Sequence, residues 1–319
     1  MDRVSGGLGH IQDNCSGDEK PAIILQPREE ALVRESEDHL AIPEALFQLN
    51  ELDVLYDAGA KALWTYMRPP GRPSFTLGML RDFEDWQRLI GESFGPGKIP
   101  LDFLVLGSRA PGVFCFGGDL ELFHSLIQAG DRDGLIRYGY RCVEILDRNI
   151  RALELPMLTI GLVEGAALGG GFEAVLSFDF IVAERGATFG LPEIMFGLFP
   201  GMGAHAFLTR KLGSAMAERI ILSNETYTAE QMYDLGIVHI LAEPGEGRLA
   251  CQEFIAKSAR RQFGLVKAKQ AKRISSPLCL DELKSIVDLW ADAALQLQDK
   301  DLKMMTRLAS AQAKLARAA

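Results

Sequence analysis

The chain is poor in positive charge: 34 Lys and Arg stand against 43 Asp and Glu, a formal charge of −9. A nucleic-acid surface needs a basic face, so no nucleic-acid partner is expected, although a local basic patch for a phosphate-bearing substrate stays open. No run approaches the roughly 20 consecutive apolar residues of a membrane span, and the start lacks a basic segment followed by an apolar one. The expectation is a cytoplasmic chain without membrane insertion. Cysteine is sparse and unpaired in pattern: Cys15, Cys115, Cys142, Cys251 and Cys279 show no CxxC spacing. They read as reduced thiols, with no zinc site and no metal. There is no GxGxxG fingerprint, which argues against a dinucleotide-binding Rossmann unit, and GPGK at 95–98 is followed by Ile99 where a phosphate loop needs Ser or Thr. No cofactor is implied.

What the chain does have is an ordinary globular composition over 319 residues, 48% apolar and 24% charged, enough for a sizeable core. Residues 1–20 have the composition of a flexible tail, and residues 21–50 read as an N-terminal extension, partly helical. A catalytic core is expected over 51–275 and a C-terminal helical region over 276–319. Within the core, β-branched and aromatic residues flank a turn signal at Asp57-Ala58-Gly59, predicting two strands. Leu77, Leu80, Phe83, Trp86 and Ile90 recur at helical spacing, predicting a helix that ends near Gly91, and Leu101 to Leu106 reads as a buried strand. Gly117 and Gly118 suit a turn, Asp119 the cap of a helix, and helical periodicity continues to Leu153. Thr228 to Gln231 has the capping-box form, before a helix ending at Gly236 and a strand over Ile237 to Leu241. From Leu278 onward there is no glycine or proline, so one long helical element is expected, placed to pack on a neighbouring subunit.

The densest chemistry lies in residues 156–204. An apolar run from Met157 to Val163 leads into Gly169, Gly170 and Gly171, then Glu173; a second run from Phe178 to Ala183 precedes Glu193. A glycine turn opening a helix gathers unpaired backbone N–H groups at the positive end of the helix dipole, which suits a developing oxyanion. Two carboxylates nearby suit proton transfer. Both glutamates are flanked by large apolar residues, unlike typical solvated ones. Alternatives stand for the remaining candidates. His205 reads as structural or pocket-facing, Cys115 has no histidine near it in sequence to activate it, and Arg68, Arg72 and Lys98 are surface charges or phosphate contacts.

FCFGGD at 114–119, GGGFE at 169–173, FGLPE at 189–193 and FPGMG at 199–203 together resemble the crotonase, or enoyl-CoA hydratase/isomerase, superfamily. The resemblance covers roughly residues 52–275. It implies an α/β fold, a spiral of ββα units, assembled as a homotrimer or hexamer, whose shared chemistry stabilises a thioester enolate with two backbone N–H groups. Carried over by position, those donors fall on Phe116 and Gly170. Glu173 and Glu193 fall where hydratases of the family keep both acid/base glutamates, which favours addition or removal of water across Cα–Cβ, without assigning which one takes the α-proton. Leu168, Leu176, Met195, Phe196 and Met202 are candidates for an acyl pocket or plain core.

Three features depart from an ordinary hydratase: the long extension, AHAFLTRKLG after FPGMG, and Phe116 where a small residue is usual. With LDVLYDAGAKALWTYMRPPGRPSFTLGMLRDF and LSNETYTAEQMYDLGIVHILAEPGEG, the chain is similar to the diffusible signal factor synthases, a bacterial branch of the superfamily. This implies dehydration of a 3-hydroxyacyl chain on acyl carrier protein to the cis-2-enoyl thioester, then hydrolysis to a free cis-2-unsaturated fatty acid used as a signal. It also implies a sensor-kinase partner. The alternative is a conventional enoyl-CoA hydratase/isomerase of fatty-acid metabolism acting on acyl-CoA.

Overall fold

The structure, a computed structural model, describes residues 42–318. The expected tail and most of the N-terminal extension lie outside the described residues. No helix among the described residues is long and apolar enough to cross a membrane.

The chain opens with an antiparallel pair, β1 (Leu52–Asp57) and β2 (Ala62–Met67), joined where the Asp57 carboxylate accepts the Ala60 amide at 3.0 Å. Helix α1 (Leu77–Ser93) follows, its first turn capped by the Thr76 side chain, which accepts the Met79 amide at 3.0 Å. From here strands come in pairs, each followed by helix. β3 (Phe103–Ser108) and β4 (Val113–Cys115) lead to α2 (Leu120–Gln128) and α3 (Arg132–Ile150). β5 (Leu158–Val163) and β6 (Ala166–Leu168) lead to α4 (Gly170–Leu176). β7 (Phe180–Glu184) and β8 (Thr188–Gly190) lead through a 3-10 turn, Glu193–Phe196, to α5 (Ala204–Leu212) and α6 (Ser214–Ser223). β9 (Thr226–Thr228), α7 (Ala229–Asp234), β10 (Ile240–Ala242), α8 (Gly247–Ser258), α9 (Gln262–Ser275), α10 (Leu280–Ala294) and α11 (Asp299–Ala318) complete it.

Each pair gives one strand to each of two sheets. The six-stranded sheet runs β1-β2-β3-β5-β7-β10 and the four-stranded sheet β4-β6-β8-β9. β2, β3, β5, β7 and β10 are mutually parallel, as are β4, β6 and β8. Successive pairs therefore step sideways by one strand, which makes the spiral of ββα units and brings the ends of β6 and β8 side by side. The large sheet is covered on both faces, which explains the unbroken apolar character of its central strands. Ala62, Trp64, Tyr66, Phe103 and Val105 pack with Cys251, Ile255 and Val266 of the later helices. Leu63, Leu104 and Leu106 point the other way into the core that holds Phe83 and Trp86.

Several expectations are refined. The helical stretch after Asp119 is two helices, because Gly130 adopts φ 65° and Asp131 restarts the chain by accepting the Gly134 amide at 2.8 Å. The strand expected over Ile237 to Leu241 is shorter, since the Ile237 and Val238 amides both donate to the Met232 carbonyl as a helix end. The single long C-terminal element is instead two helices, α10 and α11. Its break falls at residues 295–298, where the Asp301 carboxylate accepts the Gln298 amide at 3.0 Å and the Gln298 carbonyl accepts the Asp301 amide at 2.8 Å. The two helices pack on their own chain, α10 along α3 and α11 along α2 and the 3-10 turn.

A close backbone approach in the spiral lies between β4 and α4, where a Cβ on Gly171 would sit 2.2 Å from the Cys115 carbonyl oxygen. Gly171→Ala must push strand and helix apart, so a loss of about 1–3 kcal/mol in stability is expected, measurable by urea denaturation.

Candidate active site

The glycine triplet creates a patch of bare backbone. Gly169 has φ 54° and ψ −131°, a conformation that L side chains rarely adopt, and a Cβ there would lie 2.6 Å from Glu193 Oε1. Its amide donates to the Gly190 carbonyl at 2.8 Å, tying the start of α4 to the end of β8. Opposite stands Gly117, with φ 88°, where a Cβ would collide with the Gly170 nitrogen at 2.5 Å. The Gly170 amide has no acceptor among the described residues, as expected for the first residue of a helix, and Gly170 lines the cavity.

Phe116, the other expected donor, stands differently. Its amide donates to the Pro73 carbonyl at 2.7 Å. The cause is local: residues 72–75 run beside the 116–118 loop, with the Phe75 amide on the Gly117 carbonyl at 2.8 Å and Arg72 Nη2 on the Gly118 carbonyl at 2.6 Å. One backbone N–H is thus without an acceptor among the described residues and the other is engaged.

The two glutamates meet in this cavity. Glu173, 1% exposed on α4, accepts the Met202 amide at 2.9 Å and the Ala204 amide at 2.8 Å on the same oxygen, Oε1. Burial pushes its carboxyl above the ordinary carboxylate range, and these amides offset only part of that. Glu193, first residue of the 3-10 turn, is half-buried as a residue, but its Oε2 is cut off from solvent and has no hydrogen-bond partner among the described residues. Its carboxyl is also raised, first by burial and then by the charge of Glu173. Two carboxyls raised together in an apolar enclosure are easier to protonate than free glutamates, the condition for one to act as base while the other acts as acid.

Apolar side chains close the cavity, which has about 600 Å³ of empty space including its mouth. Phe196 and Met202 of the expected acyl pocket line it. Three others do not. Leu176 faces a separate cavity behind α4 with Ile150 and Phe207; Met195 is 48% exposed on the outer side of the 3-10 turn; Leu168 ends β6 beside Gly190. Apolar flanks around a glutamate do not reveal which of them turn inward. The walls that sequence reasoning missed come from elsewhere: Phe123 and Tyr138 from α2 and α3, Trp290 from α10, and Leu308 and Gln312 from α11. Periodicity marks Trp290 and Leu308 as inward-facing, but the surface they face is set by the packing of α10 on α3 and of α11 on α2.

The remaining candidates are accounted for by structure. The Asp119 carboxylate accepts the Leu122 amide at 3.2 Å as a helix cap. Burial pushes the Cys115 thiol up to about 12, so it is no nucleophile near neutral pH. Arg68 pairs with Asp53 at 2.9 Å, and Lys98 donates to the Gly91 carbonyl at 2.9 Å. His205 stacks edge-on against Phe199 and is not part of the cavity wall. No group of three or more His, Cys, Asp or Glu placed to hold a metal occurs among the described residues.

Comparison with known proteins bears on this geometry. Residues 101–246 match the family model described as enoyl-CoA hydratase/isomerase. The chain is 32% identical to the probable mitochondrial enoyl-CoA hydratase 2 of Arabidopsis thaliana over 45% of each chain, so the match spans about half of that relative's length. It is 37% identical to the short-chain-enoyl-CoA hydratase of Clostridium acetobutylicum, over 70% of this chain and 81% of that one. Among solved structures, Pseudomonas aeruginosa DspI superposes with a TM-score of 0.62 at 25% identity, over 75% of this chain and 95% of that one. With a relative matched so extensively at that identity, and with the paired sheets and glycine loops just described, the chain belongs to the enoyl-CoA hydratase/isomerase family.

Proposed function

We propose that the chain dehydrates a 3-hydroxyacyl thioester carried on acyl carrier protein to the cis-2-enoyl thioester and then hydrolyses it, releasing a free unsaturated fatty acid as a diffusible signal factor synthase does. The observation that carries this reading is that Glu173, Glu193 and Gly170, whose amide has no acceptor among the described residues, line one apolar cavity, with burial raising both carboxyls. In the first step the ionised carboxylate takes a proton from C2 of the acyl chain. The electron pair moves onto the thioester oxygen, which the Gly170 N–H steadies. As the pair returns, the C3–O bond breaks and the second carboxyl protonates the departing hydroxyl, so that water leaves. In the second step a water molecule attacks the thioester carbon while a carboxylate takes its proton. The tetrahedral oxyanion forms at the same amide, and its collapse expels the thiolate, which the protonated carboxyl neutralises. Each step begins with one ionised and one protonated acid, so the pair is reset between them.

The apolar walls contributed by α10 and α11 suit an acyl chain of medium length. The resemblance of the 52–83 and 222–247 stretches to the signal synthases supports the narrower reading. A conventional hydratase acting on acyl-CoA is the second reading, favoured by the family match over residues 101–246. Incubation with 3-hydroxydodecanoyl carrier protein and with crotonyl-CoA separates them. Free enoic acid from the first supports the synthase, whereas simple hydration of the second without thioester cleavage supports the hydratase.

Glu173→Ala and Glu193→Ala are each expected to slow dehydration roughly 10²–10⁴-fold, read by single-turnover assays of enoyl product. If both variants keep full dehydration and hydrolysis, the carboxylate assignment is wrong. The raised carboxyls also have a consequence for stability. Folding raises both carboxyls above 4.5, so the folded state binds more protons than the unfolded one above that pH. Their contribution to stability therefore falls as pH rises through the raised range. The thermal midpoint is expected to fall between pH 5 and pH 8 (roughly the window set by the raised carboxyls), and Glu193→Gln to flatten that slope in thermal scans.

A further inference from the structure

Helix α11 presents Met305, Leu308, Ala309 and Gln312 at helical spacing toward the rest of the chain. Three of these are apolar, as burial demands. Gln312 is not, although it is 2% exposed, and its Oε1 is enclosed without a hydrogen-bond partner among the described residues. A buried amide oxygen left without a partner disfavours the fold, and an apolar residue of the same size would avoid this. The side chain lines the cavity that holds Glu173 and Glu193. Among the other polar groups of that wall, the Tyr138 hydroxyl is taken, donating to the Phe75 carbonyl at 2.5 Å and accepting the Asp119 amide at 3.2 Å. Glu193 Oε2 and Gln312 Oε1 are the enclosed side-chain oxygens of the wall that remain unpartnered among the described residues.

We infer that Gln312 recognises the 3-hydroxyl of the substrate and sets a preference for 3-hydroxyacyl over unsubstituted acyl chains. The inference deepens the function proposed above and rests on it. The thioester oxygen belongs at the Gly170 amide and the chain beyond C3 is hydrocarbon, so the 3-hydroxyl is the one further polar group of such a substrate that enters the cavity. A hydroxyl both donates and accepts, matching a carboxamide in either orientation. It also carries the atom that must leave as water, so a grip on it aligns the C3–O bond with the carboxyl that protonates it. An uncharged amide does this without adding a charge beside the glutamates. Gln312 lies outside the segment matched by the family model.

The test measures dissociation constants by calorimetry for two unreactive probes, 3-hydroxydodecanoyl-pantetheine amide and dodecanoyl-pantetheine amide, on the full chain and on Gln312→Met and Gln312→Asn. The full chain is expected to favour the hydroxylated probe about tenfold, the worth of one hydrogen bond. Gln312→Met should bring that ratio near one, keep the affinity for the plain probe, and raise the thermal midpoint because a buried unpartnered amide oxygen is gone. Gln312→Asn, with its amide one methylene short, should fall between. A ratio unchanged in Gln312→Met overturns the assignment of Gln312. So does a lowered thermal midpoint with both affinities weakened together, which marks a structural residue. No preference in the full chain itself sinks the 3-hydroxyacyl reading of the site, a different failure from either of these.

Discussion

The site depends on how Glu173 is held. Its Oε1 takes two backbone amides, from Met202 and Ala204, and those bonds pin the 199–203 loop against α4. Hydrogen bonds to a charged group contribute about 1.5–3 kcal/mol each, yet complete burial disfavours the charge by more, and the carboxyl stays easier to protonate than usual. The loop so fixed also positions Gly201 against Trp290, where a Cβ would come within 2.6 Å of the indole. One buried acid therefore sets the start of α5, the place of Met202 against Gly170 and the seat of Trp290 on α10. Its chemical readiness and its structural role have the same origin, a carboxylate kept from water but given amide donors.

Glu193 is held by other means. Its carbonyl accepts the Leu198 amide at 3.0 Å, and Gly197, with φ 77°, closes the 3-10 turn, so the backbone is anchored while Oε2 is left without a partner. The two acids meet because β6 and β8 are neighbours in the small sheet and each ββα unit repeats the last with a sideways step. Twenty positions apart in sequence, they occupy comparable places in consecutive units. The unequal support then gives one carboxylate with fixed amide donors and one with an oxygen ready for a new partner.

What could be read from the sequence was what short range decides. The glycines at 117 and 169–171, the Asp119 cap and the Thr228 capping box all act within a few residues, and each is found where the chain signals it. The glutamate pair was legible because a carboxylate amid large apolar side chains has few structural uses. Leu176 and Phe196 have similar apolar surroundings in sequence, yet one faces behind α4 and the other the cavity; helix phase and the turn after β8 decide that, not composition. Trp290, Leu308 and Gln312 were out of reach for a different reason. Their role exists only once the helical run breaks at residues 295–298, and the local mark of that break, Asp301 accepting the Gln298 amide, is a weak cap in a run of good helix formers.

The engaged Phe116 amide has a consequence for how the proposed chemistry is driven. A thioester oxygen in the ground state is a poorer acceptor than the Pro73 amide carbonyl, so nothing favours exchanging one for the other when substrate binds. As the α-proton leaves, that oxygen gains nearly a full negative charge and becomes the better acceptor. The exchange is then favourable, and it comes at the point along the reaction where stabilisation lowers the barrier instead of deepening the bound state. Under the proposed mechanism Gly170, without an acceptor of its own, serves substrate and transition state alike, whereas the Phe116 amide leaves the Pro73 carbonyl only where the charged species competes for it.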